Sequence, residues 1–497
     1  MAPGEGRSGA GGRAPGGCRD RVRRTGGAHR VPGRRAASAR LVPPSRHGGT
    51  PDRGRTVNSS TASFTPAPPT PGPDGYTARL LADWRATGRP ATLGDHLRHR
   101  EALRRTTDAR GSLVDAVEAA GLTGRGGAGF PTARKMRSVA AGRGRPVVVV
   151  NAMESEPASR KDQFLIAVAP HLVLDGAVLA AVQVGADTVH VCLPRTRTAQ
   201  QRRLGNAVEE RRSARLDPVR IRLHALPHGY VSSESTSLVR WLDGGPARPR
   251  GNPPHSHERG VARRPTLVHN AETLAHLALI ARHGPDWFRR AGTPDEPGTM
   301  MITVSGAVTA PGVGEVPLGI PLDTALGRAG DTTEPVRALL VGGFAGTWLP
   351  AEDLHTPLTR RDLAPLGAAP GAGVLIALPR SACGLLETAR ILAFLGAQSA
   401  RQCGPCRYGL PAVAEDFAAL AAGQSHPELL SRLRRRTGLL PDRGACRHPD
   451  GAARLAASAL SAFADDVDRH LARGACPAAH RPPRIPVPPA TAPDTWR

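Results

Sequence analysis

The chain has 497 residues, 40% of them apolar, enough for several domains and a sizeable core. Its formal net charge of +25 raises nucleic acid as a partner, but the arginines run along the whole chain and aromatics are only 3%, with no basic stretch interleaved by them; no nucleic-acid partner is expected. No apolar run approaches the roughly 20 residues of a membrane span, the start lacks the apolar core of a secretory signal, and seven unevenly spaced cysteines do not resemble a secreted disulfide framework. A cytoplasmic protein without a direct membrane span is expected, at most peripheral to the inner face of the plasma membrane.

Residues 1–75 are rich in Arg, Pro and Gly and read as a disordered extension ending in the linker SFTPAPPTPGPDG. Short helices follow in ARLLADWRA and GSLVDAVEAAG. From residue 121 the pattern alternates. VVVV at 147–150 is a buried parallel-type strand, HLVLDGAVLAAVQVG an apolar helix, DTVHVCL a strand, RRLGNAVEERRSA a polar helix and VRIRLHAL a strand. That alternation predicts an α/β, doubly wound domain over 76–298. MITVSGAV, GVGEVPLG and RALLVGGF, with the brief helix DTALGRAG, predict a small β-grasp-like module over 299–365. A helical domain is expected over 366–475, and a disordered tail over 476–497.

Three groups of residues carry chemistry. GLTGRGGAGFPTARK at 121–135 is a glycine-rich loop. Gly124, Gly126, Gly127 and Gly129 let the backbone approach a ligand, Arg125 and Lys135 add charge, and Pro131 can open a helix aimed at a phosphate. Its spacing matches neither the Rossmann fingerprint nor a Walker loop. Only two of the 67 Lys and Arg residues are lysine, Lys135 and Lys161, which suggests positions where Arg cannot serve. VVVVNAMESEPASRKDQ places a polar segment at the C-terminus of a strand, where α/β sheets bind ligands. Third, C-x-x-C at Cys403 and Cys406 with the distant Cys446 suits zinc or an iron–sulfur cluster.

These strings resemble the motifs of the NADH-binding flavoprotein subunit of NADH:quinone oxidoreductase (respiratory complex I). The loop resembles GRGGxGFPTxxK. The second segment resembles NADESEPGTxKDR, matching at Asn151, Glu154, Ser155, Glu156, Lys161 and Asp162, with Met153 in place of an acid. GYVSSESTSLVRWLDGGPARPRGNPP resembles a further motif through Tyr230, Glu234 and Thr236, with Ser235 in place of a glutamate and His255 in place of an aromatic. RRPTLVHNAETLA resembles RPTxVNNVETLA through Asn270, Glu272 and Thr273, with His269 where Asn is usual.

The resemblance implies FMN held by Gly124, Arg125, Gly126, Gly127, Gly129, Asn151, Ser155, Tyr230, Asn270 and Thr273. It implies NAD(H) facing Phe130, Lys135, Glu154 and Glu234, with Glu154 beside the nicotinamide. Hydride from NADH would reach FMN, and single electrons would pass to a [4Fe–4S] cluster and on to a quinone-linked chain; no side chain acts as acid or base, since the cofactor carries the chemistry. The implied ligands are Cys403, Cys406 and Cys446, because Ala400 stands where the family has its first cysteine. An open iron, recruitment of Cys383, His448 or Cys476, and loss of the cluster all stay open. The β-module resembles the soluble-ligand-binding (SLBB) β-grasp domain. A companion [2Fe–2S] subunit and a larger respiratory-type complex are implied as partners. Two other readings stand beside this one: a diaphorase subunit of a hydrogenase or formate dehydrogenase, and a degenerate flavin-binding paralogue without turnover.

Overall fold

A computed structural model of the chain describes residues 78–98, 112–251, 254–424, 426–493 and 495–497. All fall within one compact unit, Phe64–Arg497. The expected disordered extension of residues 1–75, and Pro253 of the third motif, lie outside the described residues.

The valine run forms β1 (Val147–Asn151), buried on both faces as an uninterrupted apolar strand predicts. It lies in a four-stranded sheet with β2 (Thr188–Pro194), β3 (Arg220–Leu226) and β4 (Thr266–Asn270), in the order β3-β2-β1-β4. Every pairing is parallel. The pleat sends Val148 and Val150 into one core and Val147 and Val149 into another. The first core is walled by Pro170–Val184, almost wholly buried, and by Ala271–His283. These helices touch so closely at Gly176 that a Cβ there would lie 1.8 Å from the Leu274 carbonyl oxygen, so no larger residue fits. The second core is closed by Ser235–Leu242.

A mixed sheet follows, in the order β6-β5-β9-β7-β8. Its strands are β5 (Thr299–Gly306), β6 (Gly312–Pro317), β7 (Val336–Val341), β8 (Thr347–Pro350) and β9 (Val374–Pro379). Leu339, Val341, Leu375 and Ala377 face a small core with the helix Leu322–Gly327. Their neighbours Ala338, Leu340, Ile376 and Leu378 face the helices beyond. The central strand β9 lies past residue 365, where the sequence pattern placed the start of the helical region; VLIALP is too short to separate strand from helix by periodicity.

The C-terminal region holds Gly384–Ala397, Leu410–Ala421, Leu429–Gly438, His448–Ala462 and Ala464–Arg473. The segment after Cys476, expected as a disordered tail, is instead a strap packed on the unit. Ile485 is buried, Glu387 accepts from Arg484 N–H at 2.6 Å, Gln398 donates to the Thr491 carbonyl at 2.9 Å, and Ala247 N–H donates to the Trp496 carbonyl at 2.7 Å. Its low-complexity, Pro-rich sequence hides these contacts because they are made through backbone groups. Among the described residues no single helix is long and apolar enough to cross a membrane; Lys161–Val168 and Pro170–Val184 pass only together, across a 99° bend.

Candidate functional site

The strand order reverses at β1. The chain runs outward through β2 and β3, then returns to place β4 on the other side of β1. Ligands of open α/β sheets bind outside the strand C-termini at such a switch point. Asn151 and Asn270 end β1 and β4 there and are register partners. Asn151 Nδ2 donates to the Ser233 carbonyl at 2.8 Å. Asn270 caps Ala271–His283, its Oδ1 accepting from Thr273 N–H at 3.2 Å, which aims the N-terminus of that helix at the same place.

The glycine loop closes over this point. Its neck is a short antiparallel bridge, Thr123 to Pro131, with Gly124 N–H donating to the Phe130 carbonyl and Thr132 N–H to that of Leu122, both at 2.9 Å. Gly127 has φ +100° and Gly129 φ +60°, conformations that L side chains resist. Arg125 N–H donates to Thr273 Oγ1 at 2.8 Å, tying the loop to the helix cap. Its guanidinium turns inward to the carbonyls of Thr299, Pro297 and Thr123. Arg125 thus serves the loop's backbone rather than offering a free cation. The cation reaching the loop from outside is Arg360, which donates to the Gly127 carbonyl; 233 residues of separation hid it from a motif reading.

The segment after β1 wraps beneath. Glu154 has φ +39° and is buried. Its carboxylate accepts from Ser159 Oγ and Asp162 N–H at 2.8 Å and from Gln163 N–H at 3.0 Å, and Arg197 stands 3.4 Å away. Two of these bonds serve the first turn of the helix Lys161–Val168. Glu156 accepts from Tyr230 Oη and Phe344 N–H, both at 3.0 Å, and burial pushes its carboxyl up to about 7 against these bonds. Glu234 caps Ser235–Leu242, accepting from Thr236 N–H at 2.9 Å. Lys161 is a buried hub: Nζ lies 2.9 Å from Asp162 and 2.6 Å from Glu272, which in turn accepts from Met301 N–H at 2.8 Å. Burial opposes that ammonium, but the two carboxylates outweigh it and hold its pKa above the usual lysine value.

Buried polar atoms without a partner among the described residues include Asn270 Nδ2, Ser155 Oγ and Thr132 Oγ1, each on a segment at the switch point or the loop neck. A Cβ on Gly126 would sit 3.7 Å from Asn270 Cβ, so the loop passes directly beside that orphaned amide. Unsatisfied donors, positive-φ glycines and a helix N-terminus fit a flavin phosphate and ring. At the loop's outer edge Phe130 is exposed, with Arg134 and Lys135 over its ring at 5.6 and 5.9 Å. Lys135 donates to the Val268 carbonyl at 3.1 Å, and burial pulls its pKa below the usual lysine value.

At the far side, Cys406 is buried in a π-helical turn, Pro405–Gly409, with Cys403 half-buried before it. Cys446 lies in the bend just before His448–Ala462, half-buried like Cys403. His448 Nε2 bonds the Leu395 carbonyl at 2.9 Å while Nδ1 has no partner among the described residues. Ala400 is buried and supplies no ligand. Cys383, which the sequence left open as a recruit, lies at the opposite end of Gly384–Ala397. Cys383 forms instead a second group with His470 and Cys476, all buried, their ligand atoms within 4.8 Å of one another. This Cys/His/Cys group went unread because its members are 87 and 6 residues apart, outside any metal-ligand spacing.

Comparison with known proteins agrees with this geometry. Residues 117–279 match the model of the Nuo51 FMN-binding domain, and residues 386–470 match the iron–sulfur binding region of NADH-ubiquinone oxidoreductase-F. The F-type subunit of the NADH-quinone oxidoreductase of Streptomyces coelicolor is 31% identical over 421 residues, covering 82% of this chain and 94% of that one. The second F-type subunit of the Rhizobium meliloti enzyme is 29% identical, covering 82% and 97%. The crystal structure of an NAD+-reducing [NiFe]-hydrogenase in the H2-reduced state superposes with a TM-score of 0.71 at 31% identity, covering 80% of this chain and 67% of that one. With its loop, its paired asparagines and its cysteine turns in place, the chain belongs to the family of NADH-quinone oxidoreductase F-type subunits, the flavin- and iron–sulfur-binding electron-transfer modules related to those of such hydrogenases.

Proposed function

We propose that this chain is the diaphorase module of a larger redox complex, oxidising NADH and passing electrons to a partner subunit. The observation that carries the reading is the orphaned Asn270 amide beneath Gly126 at the β1/β4 switch point. Gly124, Gly126, Gly127, Gly129, Asn151, Ser155, Tyr230, Asn270 and Thr273 would hold FMN, and Arg125 would hold the loop itself. The chemistry supplied there is that of flavin: two electrons taken together and released singly. Phe130 and Lys135, on the loop's outer edge, would meet the nicotinamide nucleotide. Glu154 and Glu234 would shape its floor as caps rather than as direct ligands.

Cys403, Cys406 and Cys446 would hold the [4Fe–4S] cluster, and His448, two residues from Cys446 and with its Nδ1 unpartnered among the described residues, would be a candidate for a fourth ligand. In this reading the first sheet is a doubly wound domain, the second an SLBB-like β-grasp, and a [2Fe–2S] subunit is the companion of a cytoplasmic assembly. Coverage of 94% of a quinone-linked relative supports a quinone as the final acceptor, but the superposition on an NAD+-reducing [NiFe]-hydrogenase favours the diaphorase of another NAD-linked complex. The test is an anaerobic spectrum of the purified chain. Flavin bands bleached by NADH, with turnover on ferricyanide, are expected. Flavin-loaded protein that NADH does not bleach would leave a flavin-binding paralogue without turnover.

A further inference from the structure

Cys383, His470 and Cys476 come from three elements. Cys383 is the N-cap of Gly384–Ala397, His470 lies near the end of Ala464–Arg473, and Cys476 begins the strap. Cys383 Sγ stands 3.7 Å from His470 Nε2, and Cys476 N–H donates to the same nitrogen at 3.2 Å. All three are buried, and neither cysteine forms a disulfide.

The surroundings prepare each donor for a metal. His470 Nδ1 faces the Leu420 carbonyl at 3.2 Å, which fixes the tautomer with its proton on Nδ1 and the lone pair on Nε2. Leu386 N–H donates to Cys383 Sγ at 3.4 Å, and the helix N-terminus favours a thiolate there. Without a metal the same place is poor for ionisation: burial, with the Cys476 thiol adding to it, pushes Cys383 up to about 12. Two thiolates and a neutral imidazole around a divalent ion sum to zero charge, the arrangement a buried site tolerates best. Thiolate and imidazole donors suit zinc.

We propose that Cys383 Sγ, His470 Nε2 and Cys476 Sγ bind a structural zinc ion, separate from the iron–sulfur site and with water in its fourth position. Binding releases both thiol protons to solvent and takes the Nε2 lone pair to which Cys476 N–H now donates. The ion joins the first residue of the strap to two helices of the C-terminal region. The strap then reaches Glu387, Gln398 and Ala247. Zinc therefore latches the segment that lies across both the helical region and the chain before the third motif's end.

The test is metal analysis of the full chain purified anaerobically, with zinc affinity measured by competition against a chromophoric chelator. About one zinc per chain is expected beside the iron. Cys476→Ser should lose zinc, keep iron, and expose the 484–497 strap to faster hydrogen exchange. Cys403→Ser should do the reverse for the metals. Absence of zinc after reduction and titration, copper in its place, zinc retained in Cys476→Ser, or a Cys383–Cys476 disulfide by peptide mass would each overturn the assignment. The chelator titration of the wild-type chain decides even if Cys476→Ser fails to fold.

Discussion

The β1/β4 edge and the cysteine turns are both places where a short sequence string forms a proposed cofactor site, yet the chain holds them by different means. At the sheet edge, position is set by backbone: register pairs Asn151 with Asn270, the neck bridge closes the glycine loop, and a buried ion cluster joins the α/β core to β5. At the cysteine turns, position is set by side chains from two separate segments, the π-helical turn with its preceding bend and the bend before His448–Ala462, and one missing sulfur at Ala400 alters the donor set. A cradle made of backbone is robust to drift in side chains; a site made of thiolates is not.

The largest way to break this contrast is to attack the cluster under the cradle. Lys161→Met would leave Asp162 and Glu272 buried at one hub without their cation. Removing one partner of a buried charge group costs about 3–5 kcal/mol, and denaturant unfolding should register a loss of that size. A loss below about 1 kcal/mol would mean that the carboxylates find other donors or protons, and that the hub does not anchor the loop's foundation.

A smaller effect is expected at Gly127, where φ is +100°. A Cβ there meets nothing closer than 3.8 Å, so the cost of Gly127→Val is backbone strain, about 1–3 kcal/mol, rather than collision. The loop should relax to another conformation and release flavin while the fold persists. Protein that purifies with its full flavin complement would show that this loop does not cradle the phosphate.

The opposite experiment repairs rather than damages. Ala400→Cys adds a thiol at the position where the resemblance expects one, seven residues before Arg407 and beside Ser399, whose Oγ bonds the Cys406 carbonyl at 3.3 Å. Iron should then be lost more slowly in air, read as iron content against exposure time. An unchanged rate would indicate that the fourth iron is already held, with His448 the first residue to replace.

The cradle was legible because its residues sit within four contiguous strings, and strand, turn and helix cap are local consequences of local sequence. Less visible was what the strings do for each other. Arg125 reads as a ligand cation but is consumed by the carbonyls of Thr123, Pro297 and Thr299, and the Glu154 carboxylate also accepts from the first turn of Lys161–Val168, which no motif announces. Arg360 and β9 are brought in by the second sheet, whose strand pairing no short window predicts. Cys383, His470 and Cys476 converge only because a helix and the strap start at the same end of the helical region. Polarity and spacing announce a functional residue; which atom it points at is decided by contacts distant in sequence.

The smallest predicted effect concerns acid stability of the α/β core, away from either cofactor site. His171, in the first turn of Pro170–Val184, is buried facing His96, Asp175 and Arg211, with Nε2 3.1 Å from Glu210. Burial, then the His96 and Arg211 charges, pull its pKa from 6.5 down to about 4. The folded state therefore binds fewer protons here than the unfolded chain between these values. Stability rises with pH where the unfolded state binds more protons, so this contribution is complete above pH 6.5 and is lost as pH falls toward 4. Asp175 is held below the usual carboxylate range: burial opposes its charge, but His96 and Arg211 outweigh it. Its own contribution therefore disappears only at more acid pH, outside the histidine window. The melting temperature should decline through that window, and His171→Gln, which keeps a neutral polar group of similar reach, should flatten part of the decline. An equally steep profile in the variant would assign the acid lability to other histidines, of which half-buried His190 is similarly depressed to about 4.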